Sequence, residues 1–226
     1  MEEFIGPEHL TRQLDIIPLD VLDQNITVVG AGAIGSWVVL SLAKMGFSSI
    51  TVFDDDEVTI ENMNCQFFPH KAIGEKKVES LAKLTKLFAD MEIQTFDVRY
   101  VPGNRPLGIV ISAVDSMEAR RMIWEDHKDG GGADYIIDPR MGAETSLMYV
   151  MNPNNPKDIT AYEKTLYTDE NAVQERCTAK STIYTANLLA GQVCKAVKDI
   201  VCGHSYTRVS MWDIGNNSVQ LYNSEG

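Results

Sequence analysis

The residues best placed to do chemistry lie within one stretch, 25–64. Gly30–Ala31–Gly32–Ala33–Ile34–Gly35 sits between an apolar run, Ile26–Thr27–Val28–Val29, and an apolar segment that continues to Met45. A second apolar run, Ser49–Ile50–Thr51–Val52–Phe53, ends in Asp54–Asp55–Asp56, and Asp54 falls 24 positions past Gly30. A glycine pattern alone is weak. Here it matches the strand–turn–helix–strand unit that binds nucleotides, whose acid lies about 20 residues beyond the glycine turn. Gly30 permits the tight turn, Gly32 lets backbone N–H groups approach an anion, and Gly35 lets the helix pack closely on the strand. Asp54 then meets a ribose hydroxyl from the carboxyl end of the second strand. A turn that merely joins strand to helix is the competing reading, and the flanking pattern argues against it. By themselves these residues leave a dinucleotide and ATP equally open.

The elements that must position them follow from periodicity. Residues 8–17 predict a short amphipathic helix with Leu10, Leu14 and Ile17 on one face, closed by Pro18. After Asp56, residues 57–69 are neither clearly helical nor extended, and they follow a strand end, where open α/β sheets bind ligands. Gly74–Glu75–Lys76–Lys77 opens a helix to about Asp90, with Val78, Leu81, Leu84, Leu87 and Phe88 as its apolar face. Residues 93–98 alternate as a strand, and 102–108 form a loop rich in turn residues. Ile109–Val110–Ile111–Ser112–Ala113–Val114 is a continuous apolar run, as a central parallel strand requires, and it ends at Asp115. A helix begins near Ser116, stops at Gly130–Gly131–Gly132, and gives way to the strand Tyr135–Ile136–Ile137–Asp138. Alternating strands and helices predict an α/β fold, a Rossmann-like mainly parallel sheet flanked by helices. From Glu144 the pattern changes. A strand over 145–151 leads into a Pro/Asn-rich loop, and 159–177 is polar and poorly periodic, as a functional loop often is. A long helix over 178–201 and a hairpin around Gly215–Asn216–Asn217 complete a C-terminal antiparallel extension. The expected organisation is one domain over 1–226, with a nucleotide-binding half (1–143) and a partner-binding half (144–226).

Composition excludes several classes. A net charge of −12 argues against a nucleic-acid surface, which needs a basic stripe. Any phosphate ligand must therefore rely on locally placed Lys and Arg. The apolar runs are strand-sized, so no membrane span is expected. Met1–Glu2–Glu3 lacks the basic start of a signal peptide. Cys65, Cys177, Cys194 and Cys202 form no C-x-x-C pair, so no zinc ribbon is encoded. Few cysteines and no export signal fit a reducing cytoplasm. His9, His70, His127 and His204 form no ligand set, and Trp37, Trp124 and Trp212 read as packing.

Further along, Phe53–Asp54–Asp55–Asp56–Glu57–Val58, Glu61–Asn62, Gln66, Gly74–Glu75–Lys76–Lys77–Val78–Glu79 and Val114–Asp115 resemble the ThiF/MoeB/HesA family. This is the fold of the adenylation domain of ubiquitin-activating enzymes. The resemblance runs from about Leu10 to Val201, and the order and spacing of its motifs make it fairly specific. It implies an enzyme that binds ATP·Mg²⁺ and adenylates the C-terminal carboxylate of a small ubiquitin-like or sulfur-carrier protein or a peptide, releasing pyrophosphate. A carboxylate on tRNA is a minor variant. Gly30, Gly32 and Gly35 line the nucleotide's turn and Asp54 holds its ribose. Asp56 and Asn62 match family positions near the ribose and phosphates. Lys77 resembles the lysine that neutralises the phosphates, and Asp115 the acid that holds Mg²⁺. Arg12 resembles the arginine that crosses a homodimer to the other subunit's γ-phosphate. Each residue has a plainer reading beside this one. Lys77 also suits solvated helix surface, Asp115 a helix N-cap, and Arg12 an ordinary surface position.

The chain departs from the family where Cys65 replaces a phosphate-contacting arginine. Arg140, just past a strand end in Asp138–Pro139–Arg140–Met141–Gly142, is the expected substitute, and Cys65 itself reads as packing. Paired zinc cysteines and a C-terminal ubiquitin-fold domain are absent too, which suggests a compact prokaryotic or viral-type member. Cys177 matches the position where some members form a thioester or acyl-persulfide. Arg176, Lys180 and a helix N-terminus favour its thiolate, while an ordinary buried cysteine is the alternative. The reading is an ATP-dependent adenylyltransferase. An NAD-dependent oxidoreductase and a nucleotide-binding scaffold without catalysis are the alternatives.

Overall fold

The computed structural model describes residues 8–166 and 181–223. Among them, eight strands form one sheet in the order β3-β2-β1-β4-β5-β6-β7-β8. The parallel part comprises β1 (Ile26–Val29), β2 (Ile50–Phe53), β3 (Gln94–Phe96), β4 (Ile109–Ser112) and β5 (Tyr135–Gly142). β6 (Thr145–Met151), β7 (Thr207–Asp213) and β8 (Ser218–Asn223) then run antiparallel to their neighbours. The fold is the Rossmann-like α/β sheet with an antiparallel C-terminal extension that the strand–helix alternation predicts.

The continuous apolar runs of β1 and β4 are explained by helices on both faces. In β1, Ile26 and Val28 enter one core while Val29 enters the other. In β4, Ile109 and Ile111 join the first core and Val110 the second. The first core is closed by α1 (Gly35–Lys44), α2 (Lys77–Ala89) and α5 (Ile183–Val201). The second is closed by Ile123 and Trp124 of α3 (Met117–His127) and Tyr162 of α4 (Pro156–Glu163). Strands covered on both sides have no polar face to offer, which is why alternation is missing from their sequences.

Three segments differ from expectation. Residues 8–17 form a 3₁₀ turn, Glu8–Leu10, followed by further turns rather than a helix. The Gln13 amide bonds to the carbonyl of Leu10, three residues back, at 2.9 Å, and its side chain caps the Met45 carbonyl at 2.6 Å. A ten-residue helix is marginal by itself, and tethering to the end of α1 holds Leu10 and Ile17 in the core without one. Second, 156–163 is helical, not irregular. The Asn155 side chain caps its first turn, accepting from the Lys157 amide at 2.9 Å, and Pro156 occupies the first helical position. Third, the last long helix starts at Ile183; the expected start at 178–180 lies outside the described residues.

A buried ionic network ties α3, β5 and α4 together. Asp138 is fully buried, with Arg120 Nε at 2.9 Å on one oxygen and Arg140 Nη2 at 2.7 Å on the other. Tyr162 donates to the same carboxylate at 2.8 Å. Burial works to raise the Asp138 carboxyl, but the two guanidinium groups and the phenol overcome it and hold it below the ordinary carboxylate range. Removing this carboxylate strands two cations in a poorly solvated place. Asp138→Ala is therefore expected to lower unfolding free energy by about 3–5 kcal/mol in urea titrations. The depressed carboxyl contributes stability fully above about pH 4, and that contribution is lost as pH falls through the lowered value. Asp138→Asn, which cannot titrate, should show a shallower acid limb than wild type. An unchanged limb would show that Asp138 is not the titrating group.

Candidate functional site

The glycine turn is crowded on one side and open on the other. Gly30 has φ +96°, and a Cβ there would lie 2.5 Å from the carbonyl oxygen of Ala113 at the end of β4. A Cβ on Gly35 would lie 1.8 Å from the Gly30 carbonyl oxygen. Gly32 differs: its nearest neighbour is the Gln66 side chain, 4.0 Å away. Two glycines let backbone meet backbone, and the middle one leaves room in front of the start of α1. A helix N-terminus carries partial positive charge, so this opening favours an anion.

That opening belongs to a cleft of about 480 Å³ at the carboxyl ends of the parallel strands. The volume is in the range of small-ligand sites. Gly30, Gly32, Asp54, Asp55, Asp56, Lys77 and Asp115 all line it. Asp54 is held firmly. Its Oδ2 accepts from the Ala31 amide at 2.6 Å, inside the glycine turn, and its Oδ1 accepts from the Asp56 amide at 2.9 Å. Burial pushes its carboxyl up, against the opposing pull of Lys77 and of those amides. Lys77 is buried at the start of α2, with Nζ 2.7 Å from Asp56 and 3.9 Å from Asp54. The solvated-surface reading of Lys77 is therefore excluded by its burial. Asp115 is exposed at the mouth. The N-cap of α3 is Ser116, whose Oγ accepts from the Ala119 amide at 3.2 Å, so Asp115 is not needed as a cap.

The other expected residues are not brought to this cleft. Arg140 is the clearest correction. Its Nε donates to Asp138 at 2.8 Å, and its Nη1 and Nη2 donate to Thr165 at 3.1 Å each. Its guanidinium also lies 4.7 Å from the Tyr149 ring centre. A guanidinium committed in this way braces the interior and does not stand in for an arginine at Cys65. Asn62 accepts from the Thr59 amide at 3.2 Å, closing a 3₁₀ turn. Arg12 is exposed on the N-terminal turns. Cys65 is buried, takes a hydrogen bond from Ser181 Oγ at 3.1 Å, and its carbonyl accepts from Trp37 Nε1 at 2.8 Å, consistent with packing. Cys177 lies outside the described residues.

The structure adds lining residues that spacing did not reveal: Arg99 and Tyr100 beyond β3, and Glu118, Ala119 and Met122 on α3. Their signal was positional. Arg99 and Tyr100 follow a parallel strand's carboxyl end, and Glu118 and Met122 stand one helical turn apart just after Asp115. Among the described residues, no group of three or more His, Cys, Asp or Glu forms a ready metal cage.

Comparison with known proteins supplies the family. The ThiF family model matches residues 13–223. The chain belongs to the ThiF family. Within it, a stretch of 121 residues is 32% identical to ubiquitin-like modifier-activating enzyme 5 of Drosophila persimilis, covering 46% of this chain and 32% of that protein. A stretch of 110 residues is 37% identical to the NEDD8-activating enzyme E1 catalytic subunit of Dictyostelium discoideum, covering 45% and 24%. The matches thus span a third or less of those relatives' length. Among solved structures, E. coli MccB with AMPCPP and MccA superposes with a TM-score of 0.77 at 12% identity, over 99% of this chain and 73% of MccB. PaaA superposes with a TM-score of 0.70 at 16% identity, over 90% and 65%. At such identities the structural likeness establishes the fold. For this ThiF-family chain, the glycine geometry makes a graded prediction. Gly35→Ala and Gly30→Ala force backbone apart and should cost about 1–3 kcal/mol or more. Gly32→Ala should stay within about 0.5 kcal/mol. Thermal melts of the three variants check the ranking.

Proposed function

We propose that this chain is an ATP-dependent adenylyltransferase that activates a C-terminal carboxylate as an acyl-adenylate with release of pyrophosphate. The observation that carries this reading is the meeting of Lys77, Asp115 and the open glycine turn in one cleft. A dinucleotide oxidoreductase shares the glycines and Asp54 but has no use for a buried lysine opposed to an exposed acid. The kinship with activating enzymes, and the likeness to MccB, solved with ATP and with the peptide MccA, support the same reading.

The chemistry asks for charge neutralisation and in-line placement more than for proton transfer. Lys77 neutralises phosphate oxygens when Asp56 releases it, and the start of α1 adds its dipole beside Gly32. Asp54, held by two amides, orients the ribose. Mg²⁺ fits the donor set because it needs one or two carboxylates and takes its remaining ligands from phosphate and water. Asp115 would hold the ion, and the bound ion would supply further charge neutralisation at the phosphates. Arg12, exposed and outside the cleft of its own chain, acts across a homodimer. In the half from 144 to 226, residues 152–166 and 186–191 shape the channel for the partner, and the remainder of the 152–177 segment lies outside the described residues. That partner is a small ubiquitin-like or sulfur-carrier protein or a peptide, and the Cys177 thiolate takes its acyl group as a thioester, displacing AMP from the acyl-adenylate. Among the described residues no helix is long and apolar enough to cross a membrane, and the setting we propose is the cytoplasm.

ATP–pyrophosphate exchange tests the reading, run with a carboxylate partner identified by trapping the AMP-linked product from a lysate. Lys77→Ala and Asp115→Ala should each lower exchange by about 100-fold or more, as removal of a preorganised charge does. Stabilisation by NAD⁺ and not by ATP·Mg²⁺ would sink the proposal in favour of the oxidoreductase. Binding of ATP·Mg²⁺ without exchange would favour the scaffold. For the homodimer, mixing inactive Arg12→Ala with inactive Lys77→Ala should restore exchange, because one composite site then has both residues. No recovery on mixing, with dimers confirmed by light scattering, would place Arg12 outside the chemistry.

A further inference from the structure

Two positions from which an arginine could reach phosphate oxygens do not supply one. Cys65 is buried, with its carbonyl taken by Trp37 and its Sγ by Ser181. Arg140 is committed to Asp138 and Thr165. Lys77 brings three N–H donors to the cleft, fewer than the oxygens of a phosphate chain can accept. A further donor beside the glycine turn would make up part of the difference.

Gln66 directly follows Cys65, and both its neighbours in the chain are fastened to the first turn of α1. On one side Trp37 Nε1 donates to the Cys65 carbonyl at 2.8 Å, and on the other the Phe67 amide donates to Ser36 Oγ at 3.0 Å. Ser36 is fully buried, and the Trp37 and Phe67 rings pack with centres 4.6 Å apart. The Gln66 amide donates to the Asn62 carbonyl at 3.0 Å. Bonds at three successive residues thus fix where this side chain begins. It ends before the glycine turn: the heavy atom nearest a Cβ built on Gly32 is Gln66 Nε2, 4.0 Å away. The approach has a cost. Gln66 Oε1 is buried without a hydrogen-bond partner among the described residues. Folded proteins rarely leave a buried acceptor in that state, and each instance calls for a reason. Here the reason is geometric. Oxygen and nitrogen lie on opposite sides of one carbon, so directing Nε2 at Gly32 turns Oε1 inward.

We infer that Gln66 is a phosphate-binding residue, its Nε2 donating to an oxygen of the triphosphate seated before the start of α1, in place of the arginine absent at Cys65. The inference deepens the adenylyltransferase reading and takes ATP as the ligand from it. A carboxamide is neutral, so Gln66 supplies direction, and charge neutralisation falls to Lys77 and the dipole of α1.

The test separates the phosphate chain from the nucleoside. By calorimetry on the full chain, Gln66→Ala should raise the Kd for ATP·Mg²⁺ roughly 10- to 100-fold, as loss of a hydrogen bond to a charged group does. Tripolyphosphate·Mg²⁺, followed by displacement of ATP, should weaken by the same factor. Adenosine should bind each variant as it binds wild type, which also reports an intact cleft. Gln66→Glu keeps the size and shape of the side chain but sets a carboxylate before the helix start. It should weaken both phosphate ligands more than Gln66→Ala does. An unchanged Kd for ATP·Mg²⁺ in Gln66→Ala would overturn the inference, as would equal weakening of adenosine. Wild-type affinity in Gln66→Glu would overturn it too, by reducing the residue to packing. Wild-type protein that binds ATP·Mg²⁺ but runs no exchange would overturn the adenylyltransferase reading and leave the Gln66 comparison intact. Absence of ATP·Mg²⁺ binding by wild type would overturn both.

Discussion

The close approach of backbone to backbone at the glycine turn is the constraint on which the site depends. With Gly30 against the Ala113 carbonyl and Gly35 against the Gly30 carbonyl, β1, α1 and the end of β4 are locked at distances no side chain permits. That contact brings the start of α1 beside the chain that ends in Asp115. The Asp54–Ala31 bond at 2.6 Å then ties the end of β2 to the same turn. Three strand ends are thereby brought to one cleft by contacts that involve almost no conformational freedom.

Around this rigid centre the charges are balanced internally until a ligand arrives. Lys77 is buried, yet its ammonium is shared between Asp56 and Asp54. Arg99 is held by Asp55. An acidic chain cannot attract a polyanion by its overall field, so an anionic ligand here would depend on local exchange of partners on the lysine. The aspartate run after β2 has two duties in this arrangement. It holds Lys77 and Arg99 in place, and it fixes Asp54 against the glycine turn.

The second half of the sheet has a different structural logic. Where β1 and β4 are buried on both faces by helices, β6 to β8 run antiparallel and β8 ends the sheet with Val219, Leu221 and Tyr222 exposed. The Arg120–Asp138–Arg140 network sits at the seam, where β5 begins as a parallel strand and continues as the antiparallel partner of β6. A paired buried carboxylate holds α3 and α4 to that seam. The cleft wall on α3 therefore shares its support with the C-terminal half of the chain.

Much was legible from sequence alone because it rests on local rules. Continuous apolar runs specify doubly covered strands, and the glycine spacing with its acid 24 residues on specifies the strand–turn–helix–strand unit. Lys77, Asp56 and Asp115, singled out by family motifs, line one cleft in the fold. What the sequence could not decide depends on contacts between distant segments. Leu10, Leu14 and Ile17 have helical spacing, but tethering of Gln13 to Met45 makes turns instead. Arg140 stands two residues past Asp138 and looks free at a strand end. Only the fold shows that Asp138, Thr165 and two tyrosines occupy its guanidinium, while Arg99, unremarkable in sequence, faces the cleft. A side chain's type is written locally; which neighbour claims its hydrogen bonds is settled by tertiary packing. The glycine turn was therefore readable before the fold was known, and the partners of the two arginines were not.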